Sequence, residues 1–570
     1  MDNFKVIEIF RNIADILEIR NDNRFRIRAY QRAADTIEGM GEDFESLVNQ
    51  DRITEIPGIG VDLSGKIKEI VKTGKLKFYE DLKKTIPEGL LELLKIPSVG
   101  PKTAKLLYDE LKIKSIKELE DAIARDKLKG IFGIKEKTVE NILKGIQLLK
   151  RGRERMSLAV ALQISDEFID ALKRSKEVKR IASAGSLRRK KETVRDIDIL
   201  VVSRKPDKIM EAFTGLPQVK EILAKGETKS SVRTKDDIQI DCRVVKEKSF
   251  GAALLYFTGS KNFNIHIRMM AQKIGLKINE YGVFRGKKLL AGKTEEEIFK
   301  LFGMSYIEPE LREDTGELEL ALKDKLPALI KPGDIKGDLH VHSKWSDGGN
   351  TIAEMVKAAQ ERGYSYIAVT DHSQSLRVAR GLSVPDLKLK KKEIDNINKK
   401  LKDFRVLYGT EVDIDSDGNL DYKDEVLREF DLVIAAVHMG FKQSREKLTE
   451  RIIRACENKY VHIIAHPTGR LWGTRDAYEL DFNRVLKIAL ETNTCLEINS
   501  FPQRLDLNDQ NARYAKEKGV KLVINTDAHN IEHLANMQLG IYVARRGWLT
   551  RDDVLNTLPV EKLLKAIIKR

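Results

Sequence analysis

Histidine is scarce through most of this 570-residue chain: of nine, only His266 precedes position 340. Cysteine is scarcer still. Cys242, Cys456 and Cys495 are odd in number and widely spaced, which argues against a disulfide framework and for a reducing, cytoplasmic setting. No stretch reaches the ~20 uninterrupted apolar residues of a membrane span. The opening MDNFKVIEIFRNIADILEIR is an amphipathic helix without the apolar core or small-residue cleavage site of a signal peptide. Membrane-spanning and disulfide-stapled architectures are thereby excluded.

Length and charge remain. A chain of this length implies roughly three to five domains. Its net charge of +15 is shared unevenly: 65 Lys and Arg face 54 Asp and Glu over residues 1–335, against 38 and 34 over residues 336–570. A basic front half fits a polyanionic partner.

Within that half, a pattern of apolar residue and glycine recurs three times before a lysine-bearing helix: ITEIPGIGVDLSGKIKEI from 53, LKIPSVGPKTAKLL from 94 and LKGIFGIKEKTVENIL from 128. Glycine lacks a Cβ, so backbone N–H groups at the helix start can close on a phosphate oxygen. Gly58, Gly60, Gly100 and Gly133 mark these turns. Helix-hairpin-helix motifs grip DNA backbone in this way without reading sequence, and three copies within 90 residues imply non-specific DNA binding. A purely structural array of helical hairpins is the plainer alternative.

RDIDILVV, 195–202, alternates as a strand and places Asp196 and Asp198 on one face. IQIDCRVV, 238–245, supplies Asp241 on a neighbouring strand. Three carboxylates facing one another call for a cation. Magnesium, which prefers oxygen ligands, suits them and in-line phosphoryl transfer. Upstream, Gly185 and Ser186 begin a turn followed by Arg188 and Arg189, a place to hold a triphosphate.

GSLRR, DIDIL, IDCR and YFTGSKNFNIHIR (256–268) resemble the family X DNA polymerases, over roughly residues 1–315. The resemblance implies a nucleotidyltransferase palm with Asp196, Asp198 and Asp241 as magnesium ligands. It implies that Ser186 and Arg189 hold the incoming dNTP, that Tyr256, Phe257 and Gly259 line its sugar, that Asn264 faces the base and that Arg268 lies beside the template. Lys66 falls where the family carries a lyase lysine, whose amine forms a Schiff base if its pKa is lowered; a plain phosphate contact is the other reading. Lys190 and Lys191 stand where the family usually has glycine, which should alter the turn after the phosphate loop.

Residues 316–335, with Pro327, Pro332 and Gly333, read as a linker. Beyond it strands and helices alternate, and ligand-type residues recur at the C-terminal ends of strands: His340 and His342, then Asp371-His372, Glu411, His438, His466, and Asp527 with His529. Asp347 follows in a loop. That end of a parallel barrel carries the active site. The pattern resembles the PHP domain, a trinuclear metal phosphoesterase. The resemblance implies nine ligands: His340, His342, Asp347, His372, Glu411, His438, His466, Asp527 and His529. Mixed imidazole and carboxylate donors suit Zn2+ or Mn2+. DIDSDGNLDYKD, 413–424, nearly fits a calcium loop but ends in Asp424 and follows a strand, so it reads as a polar turn. His266, His462 and His533 read as structural or exposed.

The expected organisation is multidomain. A helical DNA-binding, lyase-like domain over 1–80 and fingers over 81–150 precede an α+β palm over 151–245 and a thumb over 246–315. After the linker, an α/β PHP barrel of about seven units spans 336–570. The expected protein is a monomer that fills gapped or nicked double-stranded DNA with dNTPs and trims 3′ ends in the barrel. AP-endonuclease activity is a further expectation. A back half acting as a small-molecule phosphatase, or a non-catalytic scaffold on DNA ends, are the competing readings.

Overall fold

The structure, a computed structural model, describes residues 3–38, 52–55, 59–87, 89–96, 99–131 and 133–569. Gly58 lies outside them. Among the described residues no helix is long and apolar enough to cross a membrane.

The N-terminal region is helical and has a core of its own. Helices Asn3–Ile19 and Arg24–Glu38 place an apolar residue every third or fourth position, which buries Phe10, Ile13, Ile16 and Leu17 on one side. That core runs on to Ile142 and Ile146 in helix Glu136–Glu154. Gly60 and Gly100 cap helices Val61–Thr73 and Pro101–Leu111 in ordinary extended conformations. Neither φ nor crowding within the chain demands glycine at these two positions, since a Cβ at either would meet nothing within 4 Å. Neither cap supplies a side-chain hydrogen bond to the first N–H groups of its helix. Gly133 differs, with φ +94.

A five-stranded sheet follows: β1 (Arg180–Ser183), β2 (Asp196–Val202), β3 (Val219–Lys225), β4 (Lys229–Thr234) and β5 (Gln239–Val245), in spatial order β1-β2-β5-β4-β3. Helices Leu158–Lys173 and Pro206–Thr214 back it, with Phe168 and Phe213 meeting edge to face at 6.0 Å. A three-stranded sheet, β6 (Lys277–Asn279), β7 (Gly282–Arg285) and β8 (Lys288–Ala291), joins helices Phe250–Thr258, Lys261–Lys273 and Glu295–Leu301 around another core.

The stretch 316–335 is no loose connector. It forms helix Glu317–Leu322, and Leu318, Ala321 and Leu329 are buried in this last core beside Trp548 from the C-terminal half. Pro327 and Pro332 signal turns, but the apolar residues between them still find a face to cover.

The C-terminal half is a parallel barrel of seven strands in sequence order: β9 (Gly337–Val341), β10 (Tyr366–Val369), β11 (Arg405–Asp413), β12 (Leu432–Ala436), β13 (Ile463–Ile464), β14 (Cys495–Asn499) and β15 (Leu522–Asn525). Their residues are buried almost without break, as parallel strands covered on both faces must be. A parallel bridge from Val341 to Ala528 closes the ring, with the His342 amide donating to the Ala528 carbonyl at 2.8 Å. Seven strands are therefore enough, one fewer than the common eight.

Candidate active sites in the barrel and the palm

Closure of the barrel gathers residues far apart in sequence. Among the described residues, three groups of ligand-type side chains have donor atoms within 4.8 Å of one another: His342, Asp347, His372 and His529; His340, His342 and Asp527; and His372, Glu411 and His438. His466 joins through Nε2, 3.1 Å from Glu411 Oε1. All nine barrel residues singled out in the sequence thus converge, with Glu411 central: His340, His342, His372, His438 and His466 all lie within 3.6 Å of its carboxylate.

The donor chemistry fits metal ions. His340 Nε2, both ring nitrogens of His342, His372 Nδ1, Glu411 Oε2 and His466 Nδ1 are buried and make no hydrogen bond of good geometry, although His372 Nδ1 lies 2.9 Å from Glu411 Oε2. Orphaned polar atoms normally cost about 1–3 kcal/mol each, and such a concentration in one pocket is the signature of ligands. The electrostatics agree. Burial disfavours charge on every ring, yet carboxylates outweigh it at His340 and His372, holding both well above the usual imidazole range. His438 and His529 are raised for the same reason. Burial and neighbouring cations instead push His342 and His466 down to about 4. Burial opposes charge on Asp347, Glu411 and Asp527 too, but the surrounding histidines hold all three below the usual carboxylate range.

A supporting layer was missed in the sequence. Glu497, fully buried, takes His340 Nδ1 at 2.8 Å and the Asn525 amide at 2.9 Å. Asp413 takes His438 Nδ1 at 2.9 Å. Each fixes which ring nitrogen faces the site. Asp371, adjacent to His372, points away to Lys390 Nζ at 2.8 Å and to the hydroxyls of Ser343 and Ser346. The calcium-like loop is a polar turn, its Asp415 bonded to Asn419 and its Asp417 paired with Lys447. His462 accepts the Val433 amide away from the site, and His266 pairs with Asp314. His533 lies nearer than expected, its Nδ1 accepting from the His529 amide at 3.4 Å.

In the palm, β2 alternates as its sequence suggests: Ile197 and Ile199 face the core, Asp196 and Asp198 the other side. Asp198 pairs in register with Asp241 of β5. Burial, then Asp196 and Asp241, push the Asp198 carboxyl up to about 7. Asp196 leans to Arg195 at 3.6 Å, while Asp241 is drawn to Lys229 at 3.3 Å and the Gln239 amide at 3.0 Å. The three lie on adjacent strands of one sheet, and Asp198 feels the charge of both of the others.

Gly185 and Ser186 sit in the short helix Gly185–Arg188 against this face. Gly185 has φ +64, and a Cβ there would fall 2.5 Å from Asp198 Oδ2. The two arginines behind it divide. Arg188 is taken by Glu295 in a two-pronged pair (2.6 and 2.9 Å), so it is not the free phosphate ligand the sequence suggested. Arg189 is held by Glu313 at 3.1 Å and by the Thr258 carbonyl. Lys190 adopts φ +55, the left-handed conformation that glycine takes readily, so the lysine carries strain in this turn. Asn264 donates to the Tyr256 carbonyl at 2.6 Å, Arg268 lies over the Tyr256 ring, and Phe257 packs edge-on to Tyr256. Gly259, with φ +70, lies beside Arg189. Lys66 is paired with Asp62 and faces the Tyr30 and Phe78 rings at 5.9 and 5.4 Å.

Comparison with known proteins follows the same division. Family models match for a helix-hairpin-helix domain (residues 1–76), a SAM-like helix-hairpin-helix tandem (90–147), a DNA polymerase beta thumb (253–313) and a PHP domain (338–501). DNA polymerase lambda of Rattus norvegicus is 24% identical over 360 residues, 55% of this chain and 56% of its own. A probable phosphatase of Thermoanaerobacter sp. (strain X514) is 33% identical over 232 residues, 39% of this chain and 89% of its own. The DNA polymerase/3'-5' exonuclease PolX of Bacillus subtilis (strain 168) is 41% identical over 569 residues, 99% of each chain. With identity sustained through both halves, the chain belongs to the PolX family, in which a family X DNA polymerase is joined to a PHP domain.

Proposed function

We infer that this chain is a DNA polymerase and 3′–5′ exonuclease with two separate active sites, and that it fills short gaps in DNA during repair. One observation carries the reading: a carboxylate face in the palm and a histidine-carboxylate cluster in the barrel occur together in a chain that matches PolX from end to end.

In the palm, Asp196, Asp198 and Asp241 would hold Mg2+, which supplies charge neutralisation for phosphoryl transfer when bound. The primer 3′-OH attacks the α-phosphate of a dNTP and pyrophosphate leaves. Ser186 and Arg189 hold the triphosphate, Tyr256, Phe257 and Gly259 bound the sugar, and Asn264 and Arg268 meet the base pair. In the barrel, the nine ligands would hold Mn2+ or Zn2+, which supply an activated water and a clamp on the scissile phosphate. Glu497 and Asp413 orient the His340 and His438 rings for that task. Gly60, Gly100 and Gly133 open the helix starts to the phosphates of gapped or nicked duplex. A cytoplasmic monomer fits this work. Similarity to a probable phosphatase favours a second reading of the barrel, hydrolysis of small phosphate esters.

The test is a one-nucleotide-gapped, 5′-phosphorylated duplex, incubated with dNTPs and magnesium or with manganese alone. Asp196→Ala/Asp198→Ala should lose only extension, and His340→Ala/His342→Ala only shortening. If the histidine variant shortens the primer as wild type does, the barrel is not the nuclease. Release of inorganic phosphate from small esters with no nucleotide release from DNA would favour the phosphatase.

A further inference from the structure

The C-terminal half grips the palm where the phosphate loop ends. Arg546, the last residue of helix Met537–Arg546, is buried. Its Nη1 donates to the Arg189 carbonyl at 2.7 Å and lies 3.0 Å from Glu313 Oε1. Its Nη2 meets Asp509 at 2.6 Å. Glu313 Oε1 is the oxygen that takes Arg189 Nε at 3.1 Å, with Lys191 at 3.7 Å. Lys190 stands over the Tyr542 ring at 4.6 Å, and Glu192 pairs with Arg470 at 2.7 Å. The residues directly after Gly185–Arg188 are thus held from the barrel side.

We propose that Arg546 is a positioning residue for the polymerase: by sharing Glu313 with Arg189, it sets how readily Arg189 turns to an incoming triphosphate. The proposal rests on the polymerase reading above and on Arg189 as the phosphate ligand. Its logic is charge balance. Arg188 cannot replace Arg189, because Glu295 holds both its prongs. Arg189 is held through Nε by Glu313 and through Nη1 by the Thr258 carbonyl, so swinging the guanidinium toward a phosphate loosens its hold on Glu313. With Arg546 beside it, the Glu313 carboxylate keeps a cationic partner when Arg189 departs. Without Arg546, Arg189 becomes its chief partner, and releasing it strands a half-buried carboxylate with Lys191 alone.

The experiment uses the full chain: wild type, Arg546→Gln, Glu313→Gln and the double variant. Single-nucleotide insertion into a gapped duplex is measured with KM for dNTP and kcat separated. Manganese-dependent exonuclease on a single strand and the thermal midpoint are measured alongside. Arg546→Gln should raise KM about tenfold, the scale of one hydrogen bond to a charged group, with kcat and exonuclease little changed. Adding Glu313→Gln should return KM close to wild type, since Arg189 is then released. Glu313→Gln alone should leave KM unchanged or lower, and it carries the test if Arg546→Gln does not fold. The proposal fails if Arg546→Gln leaves KM unchanged, if the double variant stays as impaired, or if Glu313→Gln alone raises KM. It also fails if extension, exonuclease and midpoint fall together, which marks a merely structural arginine. No insertion by wild type would instead overturn the polymerase reading.

Discussion

Replacing Gly185 by alanine puts the palm geometry under direct load. The residue has φ +64, and the added Cβ would fall 2.5 Å from Asp198 Oδ2 and 3.5 Å from its Cγ. An alanine in left-handed backbone costs about 1–2 kcal/mol. The close approach adds a second demand, because non-bonded atoms settle near ~3.5 Å and the carboxylate must retreat by about 1 Å. Misplacing a reacting or ligand group by that much costs about a hundredfold in rate. The expected result is a roughly hundredfold loss of single-turnover extension on a gapped duplex, with a fall in midpoint of about 2–4 °C per kcal/mol. Manganese-dependent exonuclease should be untouched, since no barrel ligand meets this loop. Extension within about threefold of wild type, a change of less than ~1 kcal/mol, would refute the reasoning.

Other perturbations test other links. Lys390→Ala leaves Asp371 fully buried without its cation, which should destabilise the barrel by about 3–5 kcal/mol in denaturant titration and impair the exonuclease through Ser343 and Ser346; a loss under ~1 kcal/mol would contradict it. His462, pushed down to about 4 by burial and then Lys569, stays neutral in the fold while the unfolded chain protonates near 6.5. Its contribution to stability is present above pH 6.5, is lost as pH falls toward 4, and amounts to about 3 kcal/mol. His462→Gln should therefore flatten the midpoint's fall across that window, and an identical pH slope in the two proteins would count against it. Chelation should lower the midpoint of the barrel transition, and manganese at a hundred times its dissociation constant should restore about 2.7 kcal/mol. His340→Ala/His342→Ala should abolish that response; a shift that survives places the ions elsewhere.

Much of this architecture was legible because local pattern records which way a side chain faces. In β2, Ile197 and Ile199 alternate with Asp196 and Asp198, so the acids had to share the face opposite the core. Apolar runs such as LVIAAV before His438 and YIAV just upstream of His372 announced buried parallel strands with polar tips. The number of barrel strands and their parallel sense followed from the alternation with helices. The Pro-Gly stretch at 316–335 misled, because proline reports a turn but not whether the next residues are buried.

Partnership was not legible. Glu497 reads as an ordinary strand residue until barrel closure brings it to His340, 157 positions away. Lys390 is one of several lysines on helix Val384–Asn398, and only its orientation beneath β10 and β11 buries it against Asp371. Arg188 and Arg189 are adjacent and alike, yet Glu295 takes the first in a two-pronged pair while Glu313 divides its carboxylate between the second and Arg546. The sequence by itself determined which elements form, which faces they bury and what donor chemistry lies at their ends, since these depend on neighbours a few residues apart. Only the tertiary structure decided which donor meets which, because those contacts depend on strand register, barrel closure and the docking of one half of the chain on the other.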